Sequence, residues 1–456
     1  MDIKVKERTL VKPAEKTPRR SLWLSDLDLL YDEGRSACLY FYKNCSNVVD
    51  DGAGASKFFD STLLKEALAK VLVPYYPVAG RLRRRHDDGR LEIDCNDEGV
   101  LFIVAEANVV IDDLGDFSTS PELPKLTPPS SDYSAGISSF PLLVLQVTYF
   151  KCGGVSISVG GEHIVFDGNS AFSFMNAWSE IARGQLNLSV RPVLDRTLLS
   201  HRDPPQIMFD HTNSYKLSTT THNDPTIRSS DQTTTKCEDY NSNFKAILVK
   251  ITRAQLNNLK SKAKEEGNTV NYSAFAILAG LIWKCMCIAR ALPVDQETKL
   301  FLSANGRSRL HPPLSSEYFG NAVIHTTVVA VAGDVQSKPL WYGVNLIYEN
   351  LKRIDNEYIR SALDFLTVHP NSKWIPCDEC RGSNLGIYSW ANFSTSNADF
   401  GWGQPFHMGH CGILRNEGRV WILDDGVGGN LSVLISLVPE HVEVFQKVFY
   451  QSIETS

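Results

Sequence analysis

Three observations predict an α/β protein built from two domains. The chain has 456 residues, of which 43% are hydrophobic and 21% charged, enough for two ordinary domains that each bury a sizeable core. Val155-Ser156-Ile157-Ser158-Val159 alternates apolar and small polar residues as a strand does, and Phe172, Phe174, Met175, Trp178, Ile181 and Ala182 then recur at helical spacing. Finally, residues 199–243 turn polar and lose all periodicity, as in Ser218-Thr219-Thr220-Thr221, Asn223-Asp224-Pro225 and Thr233-Thr234-Thr235. That composition reads as an interdomain crossover, leaving one domain over 1–198 and a second over 244–456.

The elements follow in chain order. Asp60 is placed to cap an amphipathic helix through Leu63, Leu64, Ala67, Leu68, Val71 and Leu72, which Pro74 and Pro77 stop, and a strand follows. Leu91-Glu92-Ile93-Asp94 and Val100-Leu101-Phe102-Ile103-Val104 read as a hairpin-like pair, because Asn96, Asp97 and Gly99 supply turn chemistry between them. Residues 155–159 form a strand with one face in the core, and the helix after it puts His163 at a strand-to-helix junction. Past the crossover, 251–266 and 274–291 read as helices, and from Asn305 onward the chain returns to strands and turns.

Charge and cysteine usage exclude several classes. The net charge is −6, and the one dense basic run, Arg83-Arg84-Arg85-His86, is followed at once by Asp87 and Asp88, so nucleic acid is not an expected partner. The start of the chain lacks an apolar leader core, and no later stretch of about eighteen apolar residues could span a membrane, so a soluble cytoplasmic protein is expected; it is also expected to be a monomer. Ten cysteines, mostly single among apolar residues, read as reduced core residues. Cys377 and Cys380 make one Cys-x-x-Cys without a second pair, and although His407, His410 and Cys411 follow, no metal is expected. A nucleophile elbow, a Walker loop and a dinucleotide fingerprint are all missing from the sequence.

Two short motifs carry the chemistry. In Gly161-Glu162-His163-Ile164-Val165-Phe166-Asp167-Gly168 the imidazole of His163 can take and return a proton near neutral pH, with Asp167 four residues on. Far downstream stands Asp399-Phe400-Gly401-Trp402-Gly403. Taken alone, His-x-x-x-Asp fits a catalytic base and a hydrogen-bonded loop histidine alike.

The surrounding motifs are more specific. They include Leu22-Trp23-Leu24-Ser25, Tyr75-Tyr76-Pro77-Val78-Ala79-Gly80-Arg81-Leu82, the run from Leu143 to Gly154, Asn305-Gly306-Arg307, Tyr318-Phe319-Gly320-Asn321 and Asn384-Leu385-Gly386-Ile387. With these, nearly the whole chain resembles the plant BAHD acyltransferases, in particular the hydroxycinnamoyl-CoA shikimate/quinate transferases and rosmarinic acid synthases. The resemblance implies two chloramphenicol-acetyltransferase-like α/β domains with His163 in a channel at their interface, and acyl-CoA as co-substrate with no permanently bound cofactor. It implies His163 as general base, the indole of Trp390 as oxyanion donor, and Asp167 turned away as a scaffold paired with Arg307. It makes Asp399, Gly401, Trp402 and Gly403 structural, and it suggests that Lys262, Lys264 and Ser273 meet the nucleotide end of CoA.

The acceptor side departs from the family pattern. Where the shikimate transferases read His-Thr-x-Ser-x-Tyr, this chain has Arg35-Ser36-Ala37-Cys38-Leu39-Tyr40, with Asp32 and Glu33 just before. Tyr388 replaces their threonine two residues before Trp390, and Ile375 stands where they carry the arginine that grips shikimate. The expectation is a p-coumaroyl or caffeoyl transfer to a hydroxyl of an acceptor other than shikimate, with Arg35, Ser36, Cys38, Tyr40 and Tyr388 around that acceptor. The alternatives are an N-hydroxycinnamoyltransferase for an aromatic amine or polyamine and a non-catalytic CoA-ester-binding protein.

Overall fold

In a computed structural model of the chain, the residues described are 1–31, 35–44, 58–115, 117, 119–128, 133–217, 244–265, 269–370, 372–374, 380, 382–393, 398–410, 417–425 and 428–454, without the side chains of 35 and 263–265. They fall into two units, each centred on a mixed six-stranded sheet. Asp32, Glu33, Ile375, Cys377, Cys411 and most of the expected crossover lie outside the described residues.

The first unit holds residues 1–200, 310–322 and 393–413. Its strands are β1 (Ile3–Val11), β2 (Ser21–Trp23), β3 (Arg35–Tyr42), β4 (Arg81–Arg84), β5 (Leu91–Asp94), β6 (Val100–Ala107), β7 (Leu143–Tyr149), β8 (Val155–Glu162) and, from late in the sequence, β15 (His407–His410). The large sheet runs β1-β6-β7-β8-β3-β15, and β2-β5-β4 form a separate small sheet. Segments 310–322 and 393–413 thus depart from the expected two-block division, because β15 completes the first sheet by pairing with β3, Met408 opposite Tyr40.

The expected pairing of 91–94 with 100–104 is not formed. β5 pairs instead with β4 and β2, while β6 lies between β1 and β7 in the large sheet. Asp97 and Gly99 do take positive φ, 55° and 101°, so the turn chemistry is real, but the turn leads from one sheet to another. β8 also differs from a one-faced strand, for all eight of its residues are buried at the middle of the sheet.

Helix α1 (Ser61–Val71) begins as expected, with the Asp60 carboxylate accepting from the amides of Thr62 and Leu63 at 2.7 and 3.3 Å. Helix α2 (Gly168–Ala182) packs on it, and the Trp178 indole donates to Leu64 O at 3.0 Å.

The second unit holds 201–309, 323–392 and 414–456. Its strands are β9 (Tyr215–Lys216), β10 (Lys245–Ile251), β11 (Glu297–Asn305), β12 (Val323–Val331), β13 (Lys373–Trp374), β14 (Leu385–Ser389), β16 (Arg419–Asp424) and β17 (Leu431–Leu437), with the large sheet ordered β10-β17-β16-β14-β11-β12. Its helices are α3 (Arg253–Glu265), α4 (Ala274–Ala289), α5 (Ala332–Ser337), α6 (Leu340–Lys352), α7 (Asn356–Val368) and α8 (Pro439–Glu454). The last four correct the reading of strands and turns beyond Asn305. α4 is apolar almost all round because the sheet, α6 and α8 enclose it, with Trp283, Ile282 and Leu278 at the centre of the core.

Among the described residues no helix is long and apolar enough to cross a membrane, no group of histidines, cysteines and carboxylates could hold a metal, and Cys38, Cys95, Cys152, Cys285 and Cys287 are free thiols.

Candidate active site

His163 begins the turn that leaves β8. Gly161 makes that turn possible, since a Cβ there would lie 2.2 Å from the Phe166 ring, which folds back over the strand end. Val165 N–H donates to Glu162 O at 2.9 Å, and Ile164 and Val165 are buried, so the loop is pinned on both sides of the imidazole.

The Asp167 carboxylate, 1% exposed, caps α2. One oxygen accepts from Ser170 N at 3.0 Å and the other from Ala322 N at 3.0 Å. Ser170 Oγ donates to Gly320 O and accepts from Gly320 N, at 3.0 and 3.1 Å. Helix start and segment 320–322 are therefore fastened to each other through Asp167 and Ser170.

Under the loop lies a buried polar cluster that the sequence did not reveal. Asp28, 0% exposed, accepts from Ser25 N and Ser25 Oγ, each at 2.8 Å, and from the main-chain and side-chain nitrogens of Asn321 at 2.9 and 2.8 Å. The same Asn321 amide donates to the main-chain carbonyl of His163 at 2.8 Å. Arg196 faces Asp28 at 2.8 Å and donates to Val165 O. Ser25 and Asn321 stand in motifs visible in the sequence, but Arg196 has no local signal, because its partners come from elsewhere in the fold.

Tyr31, next after the short turn Asp28–Leu30, stacks on the imidazole with ring centroids 3.8 Å apart and planes at 19°. Burial lowers the His163 pKa below its ordinary value of 6.5, and this outweighs its own main-chain carbonyl, Asp167, the Asn321 side chain and Asp28, all of which raise it. The imidazole is therefore neutral at pH 7.

Other residues of interest in the first unit lie on β3 and in the late segment. β3 pairs with β8 so that Arg35 stands opposite Glu162 and Cys38 opposite Val159, which puts the strand beside the one that carries His163. Ser36 is exposed, Cys38 half-buried and Tyr40 buried edge-on to Phe172; burial pushes the Cys38 thiol up to about 12. Asp399 accepts from Gly401 N and Gly403 N at 2.8 and 3.0 Å, and both glycines take positive φ, 99° and 103°. Phe400 and Trp402 pack on Trp178 and Phe59, and Arg183, at the far end of α2 from His163, donates to Asp399 O. Fifteen helical residues separate the two ends, roughly 20 Å.

In the second unit, Tyr388 is the penultimate residue of β14, edge-on to Trp374, and Trp390 stands just past the end of that strand with its main-chain N–H donating to Ile422 O at 2.8 Å. Arg307 is buried, its amide donating to Asn305 Oδ1 at 3.0 Å. Lys262 and Lys264 lie on α3, and Ser273 caps α4, accepting from Ala276 N at 3.1 Å.

A family model described as "Transferase family" matches residues 1–452. A shikimate O-hydroxycinnamoyltransferase of Nicotiana tabacum is 48% identical over 99% of this chain and 100% of its own length. A hydroxycinnamoyl-CoA:5-hydroxyanthranilate N-hydroxycinnamoyltransferase of Avena sativa is 42% identical over 98% of this chain and 99% of its own. Among solved structures, vinorine synthase superposes with a TM-score of 0.71 at 22% identity, over 97% of this chain and 96% of its own, a likeness of fold.

Proposed function

This chain belongs to the transferase family of BAHD acyltransferases, and we propose that it passes a hydroxycinnamoyl group from CoA to the hydroxyl of a small acceptor other than shikimate. The observation that carries this reading is His163: a neutral imidazole at the end of β8, on a loop pinned by buried hydrogen bonds.

The chemistry is direct transfer. His163 accepts the proton of the acceptor hydroxyl as its oxygen attacks the thioester carbonyl, and the imidazolium then protonates the departing CoA sulfur. Trp390 supplies an N–H to the developing oxyanion. Asp167 acts as a scaffold in partnership with Arg307, in keeping with both its oxygens accepting main-chain N–H groups. Asp399, Gly401, Trp402 and Gly403 shape a loop. Lys262, Lys264 and Ser273 meet the nucleotide end of CoA, and Arg35, Ser36, Cys38, Tyr40 and Tyr388 contact the acceptor, Arg35 through a carboxylate if the acceptor has one. The enzyme works as a cytoplasmic monomer with no bound cofactor.

The similarity to an N-hydroxycinnamoyltransferase supports a second reading, with an aromatic amine as acceptor. One experiment addresses both: incubate the protein with p-coumaroyl-CoA and pooled hydroxy acids, their methyl esters and aromatic amines, and identify products by mass spectrometry. An ester product supports the first reading and an amide the second. Release of CoA with neither would overturn both.

A further inference from the structure

The stack of Tyr31 on His163 is more than a contact between neighbours, because both rings are tied to one buried residue, Asp28: Tyr31 through its main-chain carbonyl and His163 through its carboxylate and Asn321. Tyr31 N–H donates to Asp28 O at 3.4 Å, closing the turn that ends at its ring. The Asp28 side chain holds Asn321, and Asn321 holds the carbonyl of His163. Arg196 secures the opposite side, facing the Asp28 carboxylate while donating to Val165 O two residues beyond the imidazole. Three hydrogen-bonded links thus fix the spacing of two rings that lie far apart in sequence.

We propose that Tyr31 is a positioning residue for the general base, its ring lying flat on the imidazole so that His163 keeps the one rotamer from which its ring edge reaches the acceptor proton. Proton transfer uses a lone pair in the plane of the imidazole, so a ring on its face leaves the reacting edge open. A flat neighbour 3.8 Å away also removes water from that face. The groups that act on the base from around it are Asp167 at the start of α2, Asp28 in the Ser25–Leu30 segment, the Asn321 amide, its own carbonyl and the Tyr31 ring; Arg196 reaches the loop at Val165. Of these, Tyr31 is the one whose ring lies on the face of the imidazole, and altering it leaves the buried ions Asp28, Asp167 and Arg196 in place.

This inference rests on His163 being the base, and the test separates the two. Tyr31→Ala, Tyr31→Phe and His163→Ala are assayed for kcat, for both KM values and for the pH dependence of kcat/KM, and the His163 pKa is measured directly by NMR on protein with labelled histidine. Tyr31→Phe, which keeps the stack, should stay close to the parent. Tyr31→Ala should lose roughly tenfold in kcat with both KM values little changed, and its His163 pKa should rise toward the ordinary imidazole value in the NMR titration and in the acid limb alike. Equal losses in Phe and Ala, an unmoved His163 pKa in Ala, or a loss confined to the acceptor KM would each overturn the positioning role. Near-normal turnover by His163→Ala would instead overturn the acyl-transfer reading beneath it.

Discussion

Arg196 and Asp28 form an ion pair at 2.8 Å in which the side chains are 1% and 0% exposed. A pair so deeply buried is sensitive to the loss of either member, because the survivor keeps its charge without water or a counter-charge. Arg196→Met should therefore cost about 3–5 kcal/mol of folding stability, and the double variant Asp28→Leu/Arg196→Met less than the sum of the two single changes. Urea denaturation of the four proteins measures this, and strict additivity would show that the two charges are not coupled.

His163→Ala should leave a folded protein whose turnover falls about 10²-fold or more, while CoA binding by calorimetry survives. In the parent, the pKa of His163 lies below 6.5. The base is neutral above that pKa and protonated below it, so kcat/KM should hold level through neutrality and fall on the acid side with a midpoint under 6.5.

Asp167→Asn should harm the fold before the chemistry. The amide can still cap α2 through its oxygen, but its nitrogen then meets Ala322 N–H, donor against donor, at a cost of about 1–3 kcal/mol. The expected result is a lower melting temperature with kcat per folded molecule reduced far less than by His163→Ala. Parental stability combined with a loss as large as that of His163→Ala would restore a catalytic dyad.

His211 gives the second unit an acid-sensitive point. It is 0% exposed among Phe209, Tyr358 and Phe365, its Nε2 lies 3.0 Å from Ser361 Oγ, and burial lowers its pKa to about 4. The native state resists a proton that the unfolded chain accepts near 6.5, so the stability is fully present above 6.5 and drains away as the pH falls toward 4. His211→Gln, which keeps a partner for Ser361 and cannot titrate, should flatten the stability curve across that window, as chemical denaturation at several pH values would show.

Local pattern carried the elements whose partners are close in sequence. Asp60, the Leu64–Leu68–Val71 face, β8 and α2 were legible, and with them the junction that holds His163. The pairing of 91–94 with 100–104 failed because turn residues announce a reversal without naming the strand across from it, and here long-range partners in two sheets prevail. The helical spacing of Val442, Phe445, Phe449 and Ile453 in α8 is itself a local pattern of the same kind. At the site, His163 was visible in a motif, but its support was not. Asp28, Arg196 and Asn321 meet only when three separate stretches of chain converge.

The position of β15 sets the order in which this protein can be made. β3 pairs on one side with β8, but its other edge stays unsatisfied until His407–His410 has emerged from the ribosome. During synthesis the first sheet must therefore wait, edge uncovered, for most of the chain, and a non-local pairing of this kind closes slowly. A fragment ending at the crossover would carry His163 and its whole motif yet keep that strand edge open for a second copy to join.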